Sequence, residues 1–389
     1  MLQYYRIFDK KSRFWYDGRE LYQYMKKVIY FAFLLFCIFV FTSPVNASDT
    51  LFEAKVLDVL SEREVVRESG GGAMQQNVKL KGLEGDWKNK EFIVNGISEI
   101  DVVNGVEVSV GNKVIVQHST NYEGADSFVI TDHVRRGYLY LLGIIFAITI
   151  IAIGRWQGVK SLLSLVFSFL IIMYWIIPSI IRGVNPLFVS IVGAVVILCS
   201  IIYLTWGFTR KSNIAMISIG LSLILTGIIS IVFTKLTHLS GLADDSVLFL
   251  VGVPGVNINF EGLLLAAIII GTLGVLDDVV ISQISTIEQI KESNENLSKK
   301  QLFSKAIKVG VDHISSMTNT LFLAYAGASL PLLLLFAVQD SVGFLTVINN
   351  EMIATEIVRT LTGSIGLILA VPIATFFAVN YLTKKKVAK

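Results

Sequence analysis

Two neighbouring carboxylates, Asp277 and Asp278, are the residues of this chain best placed to do chemistry. They sit in the stretch Gly271-Thr-Leu-Gly-Val-Leu-Asp-Asp-Val-Val-Ile-Ser282, near the end of an apolar run that opens at about Phe260. A run of roughly 20 apolar residues is long enough to span a bilayer. A carboxylate at the bilayer centre costs about 2.5–3.5 kcal/mol on insertion scales, so an acid inside a span is a functional candidate that needs compensation. Gly271, Gly274, Asp278, Ser282 and Ser285 follow one another by three or four residues and share a helix face. Small residues admit the backbone of a neighbouring helix. Gly271, Gly274 and Ser282 are therefore expected to form a packing face that turns Asp278 into a bundle. Asp277, rotated by about 100°, points to another groove or to the cytoplasmic interface. The bland alternative places both acids at headgroup level, since Asp277 lies about 25 Å along the helix from Phe260 at about 1.5 Å per residue.

A later apolar run begins Ser315-Ser-Met-Thr-Asn-Thr320 and continues Ala324-Tyr-Ala-Gly-Ala-Ser329. Its polar start falls on the same side of the membrane as the acids, which makes Asn319 and Thr320 the expected hydrogen-bond partners. An interhelical hydrogen bond in a membrane contributes only about 0.6–2 kcal/mol, too little to offset a charged carboxylate. The acid then carries a proton, meets water or holds a cation, and each condition suits an ion-coupling site. A purely structural polar clamp is the competing expectation.

The elements that must hold these groups are legible in outline. The chain has 389 residues, 53% hydrophobic and 16% charged, which indicates a multi-span membrane protein. The formal net charge of +3 owes much to a lysine-rich tail and bears on membrane orientation, with no nucleic-acid partner implied. The cysteines, Cys37 and Cys199, make no disulfide framework, and the four histidines are too scattered for a metal site. No cofactor is expected. His238, Ser240, Asp244 and Asp245 share one segment, but no motif orders them as nucleophile and base, so no enzyme is expected.

In chain order, residues 1–24 read as an upstream extension. Residues 25–47, with Met25-Lys-Lys, an apolar block and Val45-Asn-Ala47, read as a signal peptide or signal anchor. Residues 50–132 alternate in short runs separated by turn signals such as Asn95-Gly96 and Gly111-Asn112. That pattern predicts a small extracytoplasmic β-barrel, OB-like, or a β-sandwich. Residues 138–383 form a helical membrane domain with seven expected spans, at about 138–154, 161–181, 186–206, 213–234, 260–283, 316–338 and 363–383. Residues 384–389 form a basic cytoplasmic tail. One set of loops carries thirteen Lys and Arg and the other five. The first set is cytoplasmic by the positive-inside rule, which puts the β domain outside the cell membrane. The expected partners are the lipid bilayer, an unidentified small solute or ion, and a second copy or partner subunit.

Three segments carry a resemblance: Gly271-Thr-Leu-Gly-Val-Leu-Asp-Asp-Val-Val-Ile-Ser-Gln, Val311-Asp-His and Thr318-Asn-Thr-Leu-Phe-Leu-Ala-Tyr-Ala-Gly-Ala. With these the chain resembles the YibE/F family of bacterial membrane proteins over essentially 50–383. That resemblance implies a multi-span protein and no particular activity. The acidic pair followed by a Ser/Thr/Asn-rich span is also similar, more weakly, to the export proteins SecD and SecF of the resistance-nodulation-division permease architecture. That likeness implies that Asp278 carries a proton, with Thr318, Asn319 and Thr320 opposite it. The segment after the acid is longer here and the span count differs. The function expected is a membrane transporter or permease coupled to protons or cations through the buried acids of the fifth span. The alternative is a non-transporting scaffold or assembly factor that presents the β domain.

Overall fold

Alternating burial builds the N-terminal unit. The structure, a computed structural model, describes residues 51–66, 72–97, 107–120, 126–253, 257–338 and 343–382. The expected extension (1–24), signal (25–47) and basic tail (384–389) lie outside the described residues. The chain divides into two compact units, Met1–Leu142 and Gly143–Lys389.

In the first unit, five strands form one antiparallel sheet: β1 Leu51–Val66, β2 Gly72–Gly82, β3 Glu91–Asn95, β4 Lys113–Thr120 and β5 Asp126–His133, in the order β3-β2-β1-β4-β5. Strand β1 is long enough to pair with β2 along its length and with β4 at its start, and register shifts at Val56/Asp58 and Val59/Ser61 bend it. Every second residue turns inward, so Phe52, Ala54, Val56, Val78, Leu80, Phe92, Val94, Val114 and Val116 make one core. The five expected strands are present. Among the described residues the expected closed barrel is not present, and neither is a second sheet that would make a sandwich. The two edge strands converge through side chains instead, with the Phe92 and Phe128 rings 4.4 Å apart.

The second unit is helical, and its first helix begins in the first unit. We number α1 Arg136–Ile181, α2 Pro186–Trp206, α3 Arg210–Leu236, α4 Asp245–Val251, α5 Phe260–Ser293, α6 Lys299–Ala328, α7 Leu330–Val338, α8 Phe344–Asn349 and α9 Glu351–Leu382. Five of these (α1, α2, α3, α5 and α9) are long and apolar enough to cross a membrane, and a sixth follows if α6 and α7, bent by 60°, count together. The helices are compatible with a membrane location, and their outward isoleucines, leucines and phenylalanines would suit lipid.

The expectation of seven separate spans needs correction. Two of them, 138–154 and 161–181, fall within the 46-residue helix α1. A straight helix of that length would measure about 69 Å, against a hydrocarbon core of about 30 Å. Helix α1 is not straight. Arg155 has φ 49° and ψ −130°, which breaks the helical path into two arms. Residue 158 would stand about 12 Å from residue 150 in a straight helix. Here a Cβ on Gly158 would lie 2.2 Å from the Ile150 carbonyl oxygen, so the arms meet closely and only glycine fits the crossing. Helix α9 starts at Glu351, earlier than the expected seventh span at about 363–383.

The core of this unit lies around α5, which packs against α2, α3, α6 and α9. Helix α3 presents Ser218, Ser222 and Thr226, all buried. Each hydroxyl donates to the carbonyl four residues earlier, at 2.8 Å. The polar atoms are thus satisfied within the helix, and the small side chains let α9 come close. A Cβ on Gly366 would stand 1.9 Å from Thr226 Oγ1. Overpacking of this kind costs about 1–3 kcal/mol. Gly366→Ala should lower the thermal unfolding midpoint of the detergent-solubilised protein. Gly220→Ala, whose Cβ would meet nothing within 4 Å, should not, and adding Thr226→Ala to Gly366→Ala should recover part of the loss. An unchanged midpoint in Gly366→Ala would mean that α3 and α9 are not in contact there.

Candidate functional site

Helix α5 is set by its ends. Asn259 caps its start by accepting from the Gly262 N–H at 2.8 Å. The helix after it, α6, starts with a reciprocal capping box between Ser298 and Gln301. The 34 residues of α5 place Asp277 and Asp278 near its middle, far from either end. The helix has two different sides. Thr272, Leu276, Val279, Val280, Gln283 and Ile287 are buried against neighbouring helices. The opposite stripe runs Ile270, Gly274, Asp277, Asp278, Ile281 and Ser282, then on through Ser285 and Gln289 in helical steps, and it lines a cavity of about 810 Å³.

The remaining walls come from the second arm of α1 and from α2. The arm contributes Gln157, Ser161, Ser164 and Ser168, spaced by three and four residues on one face. Helix α2 contributes Ile197, Ile201, Ile202, Thr205 and Trp206. Ser164 Oγ and Thr205 Oγ1 lie 3.1 Å apart, and Gln157 Nε2 donates to the Thr205 carbonyl at 3.3 Å, which fixes the arm against α2. Three cavity hydroxyls donate to their own helix: Ser168 to Ser164 O at 2.9 Å, Ser285 to Ile281 O at 2.8 Å and Thr286 to Ser282 O at 3.0 Å. With the protons committed, their oxygen lone pairs remain as acceptors. At one end Lys211 of α3 donates to Ser285 Oγ. Its ammonium stands 3.9 Å from Glu288 Oε2 and 4.4 Å from the centre of the Trp206 ring.

The structure places the expected residues as follows. Asp277 and Asp278 share the cavity, although the sequence suggested separate directions for them. Gly274 and Ser282 line the same cavity and are not a packing face, for a Cβ on Gly274 would meet nothing within 4 Å. Gly271 does face a neighbour, with its would-be Cβ 3.1 Å from the Tyr325 hydroxyl of α6. The expected bonds from α6 to the acids are not formed. Among the described residues no hydrogen bond joins Asp277 or Asp278 to Thr318, Asn319 or Thr320. The Thr320 hydroxyl donates to Ser316 O at 3.0 Å, Asn319 is exposed, and Thr318 Oγ1 is buried without a partner. Helix α6 instead brings His313 into electrostatic range of Asp278.

Two features escaped the sequence reading. The serines of α1 were detectable from the 161/164/168 spacing. Gln283 was not, since nothing marks one glutamine among many. It is buried and donates to Ala306 O at 3.0 Å and to Thr375 Oγ1 at 2.8 Å, which joins α5, α6 and α9. The residues that hinted at hydrolysis take structural parts. Ser240 Oγ donates to Glu351 Oε1 at 2.7 Å, and Asp244 caps α4 through the Ser246 N–H.

Residues 142–384 match the family model described as YibE/F-like protein, more than half of the chain. No curated protein and no solved structure matches the chain, so the likeness to SecD and SecF is not shown.

Two outcomes test this geometry. In a chain with Cys37 and Cys199 replaced by serine, Ser161→Cys and Ser282→Cys should react with a water-soluble thiosulfonate. Thr272→Cys, on the buried face, should stay unlabelled, and equal labelling of all three would contradict the two-sided helix. Gln283→Glu places an acceptor against the Ala306 carbonyl and leaves it unsatisfied, at a cost of about 1–3 kcal/mol. Its unfolding midpoint should fall below that of Gln283→Met, as measured by the same thermal assay.

Proposed function

The chain belongs to the YibE/F-like family, and we propose that it is a membrane permease whose solute moves together with, or in exchange for, a proton or cation held at Asp277 and Asp278. The single observation that carries this reading is the pair of carboxylates on the wall of a cavity deep along α5. Ionisable groups within membrane-spanning helices belong to ion pathways and proton relays more often than to structural frames. The hydroxyls and amides around the pair supply the polar surroundings that the fifth span needs. The lysine and arginine asymmetry of the loops supports a location in the bacterial cell membrane, with the sheet domain outside and the C-terminus in the cytoplasm. The transported solute is a small molecule or ion, and a second copy or partner subunit is compatible with the exposed first arm of α1.

A scaffold that presents the sheet domain would also be a helical membrane protein, but it has no use for acids that open on a cavity. The two readings separate in proteoliposomes loaded with a pH-sensitive dye and offered a panel of inorganic and organic solutes, with and without a pH gradient. Solute-triggered proton or cation movement should occur in the wild type and fall at least ten-fold in Asp277→Asn and Asp278→Asn, with the protein present in the membrane at normal level. Wild-type flux in the double variant would end the coupling proposal. Disappearance of both variants from the membrane would assign the acids to structure.

A further inference from the structure

We infer that the cavity between the second arm of α1, α2 and α5 binds an amphiphilic organic cation, an ammonium or phosphonium with an apolar body, and this inference rests on the permease reading by naming its class of solute. Four observations converge. First, the cavity measures about 810 Å³, within the range of about 300–1,000 Å³ that suits a small organic molecule. Second, one wall is apolar, with Leu165, Ile172, Ile197, Ile201, Ile270 and Leu273. An inorganic cation takes its shell of about six ligands from oxygen atoms and gains nothing from such a wall, whereas an apolar body does.

Third, the polar wall is built for a positive charge. Among the described residues no Lys, Arg or His lines the cavity, whereas Asp277 and Asp278 both do. The hydroxyls of Ser168 and Thr286 have donated their protons to backbone carbonyls and offer lone pairs, while Ser285 Oγ already accepts from Lys211. An anion would meet the two carboxylates here. Fourth, the protein already seats an ammonium on this surface. Lys211 rests on Ser285 Oγ and the Trp206 face with Glu288 beside it, a hydroxyl, an indole and a carboxylate that stabilise an alkylammonium through hydrogen bonding and cation–π attraction. Ser285 and Trp206 also line the cavity, where the two aspartates repeat the carboxylate part with no Lys, Arg or His among the described lining residues.

Equilibrium binding of radiolabelled tetraphenylphosphonium to the full chain in nanodiscs tests the inference, with empty nanodiscs as the blank. Tetraphenylborate, of the same shape and opposite charge, isolates the sign. The wild type should bind the phosphonium saturably and the borate no more than the blank. Asp277→Asn and Asp278→Asn should each weaken phosphonium binding at least ten-fold. Ile201→Trp, which fills the apolar wall and leaves both acids intact, should abolish it. The inference is overturned if phosphonium binding does not exceed the blank, if the borate binds equally well, or if the double Asn variant binds as the wild type does. The assay uses no gradient, so its result is separate from coupling. Phosphonium binding without any solute-triggered proton movement would keep the ligand class and remove the permease. Gradient-coupled flux of an inorganic ion without phosphonium binding would keep the permease and remove the ligand class.

Discussion

Two carboxylates in the middle of a long apolar helix are the constraint to which the rest of the helical unit answers. In a bilayer each would cost about 2.5–3.5 kcal/mol if charged and facing hydrocarbon. On the cavity side the fold meets that cost with a polar surface. Serines of the α1 arm, Thr205 of α2 and the hydroxyls of α5 itself surround the cavity on which the acids open. That arrangement requires the second arm of α1 to lie against α2, and the non-helical Arg155 gives it the freedom to do so. The π-helical turn Ile172–Ile176 and Pro178 further along the arm relax its path again.

The other side of α5 is dry and closely packed. Helix α3 brings a column of serines and threonines whose hydroxyls are satisfied internally, and α9 brings Gly366 and alanines. Gln283 fastens the inner half with two hydrogen bonds to different helices. In lipid such close packing is a main source of helix association, because apolar burial alone favours no partner over an acyl chain. The rigid side therefore holds α5 in place, while the cavity side keeps its groups free to meet ligand or water. A helix with both faces packed could not offer its acids to anything. One with neither face packed could not hold them at a fixed depth.

Much of this was legible in the residues. The five strands fall where Phe52–Val56, Asn77–Leu80, Glu91–Val94, Lys113–Val116 and Ser127–Ile130 alternate, because period-two burial leaves its mark on composition. Closure of the sheet was not legible, since it depends on whether β3 and β5 exchange backbone hydrogen bonds, and Phe92 and Phe128 read the same either way. Helices α2 and α3 match their apolar runs to within a few residues, and α5 starts at Phe260 as expected but continues past 283 to Ser293. In α1 the break at Arg155 falls between the expected spans 138–154 and 161–181, but apolar length could not reveal that the two arms follow each other without a loop. For the candidate site, depth was readable and direction was not. Gly274, Asp278, Ser282 and Ser285 share one cavity wall of α5, while Gly271 turns to Tyr325 of α6. Their spacing could not say whether that face meets a helix or a cavity, since small polar residues serve both.

The same distinction explains the misplaced partners on α6. Helices α5 and α6 run antiparallel, with Gly271 beside Tyr325 and Asp278 in range of His313. Residues 318–320 lie between those two levels, so their depth agrees with the acids. Their side chains are turned elsewhere: Thr320 bonds within its own helix and Asn319 faces outward. Periodicity fixes which residues of one helix share a face, but the rotation of one helix against another is set by packing, here by Gln283 and by the contact of α3 with α9. Those contacts turn the acids away from the threonines of α6 and onto the serines of α1. A rotation of α5 by half a turn would exchange the two environments and bury both carboxylates against α3 and α9, whose Ser218, Ser222, Thr226 and Thr375 hydroxyls already donate to their own backbones. The packing on the dry side thus decides the chemistry available on the other.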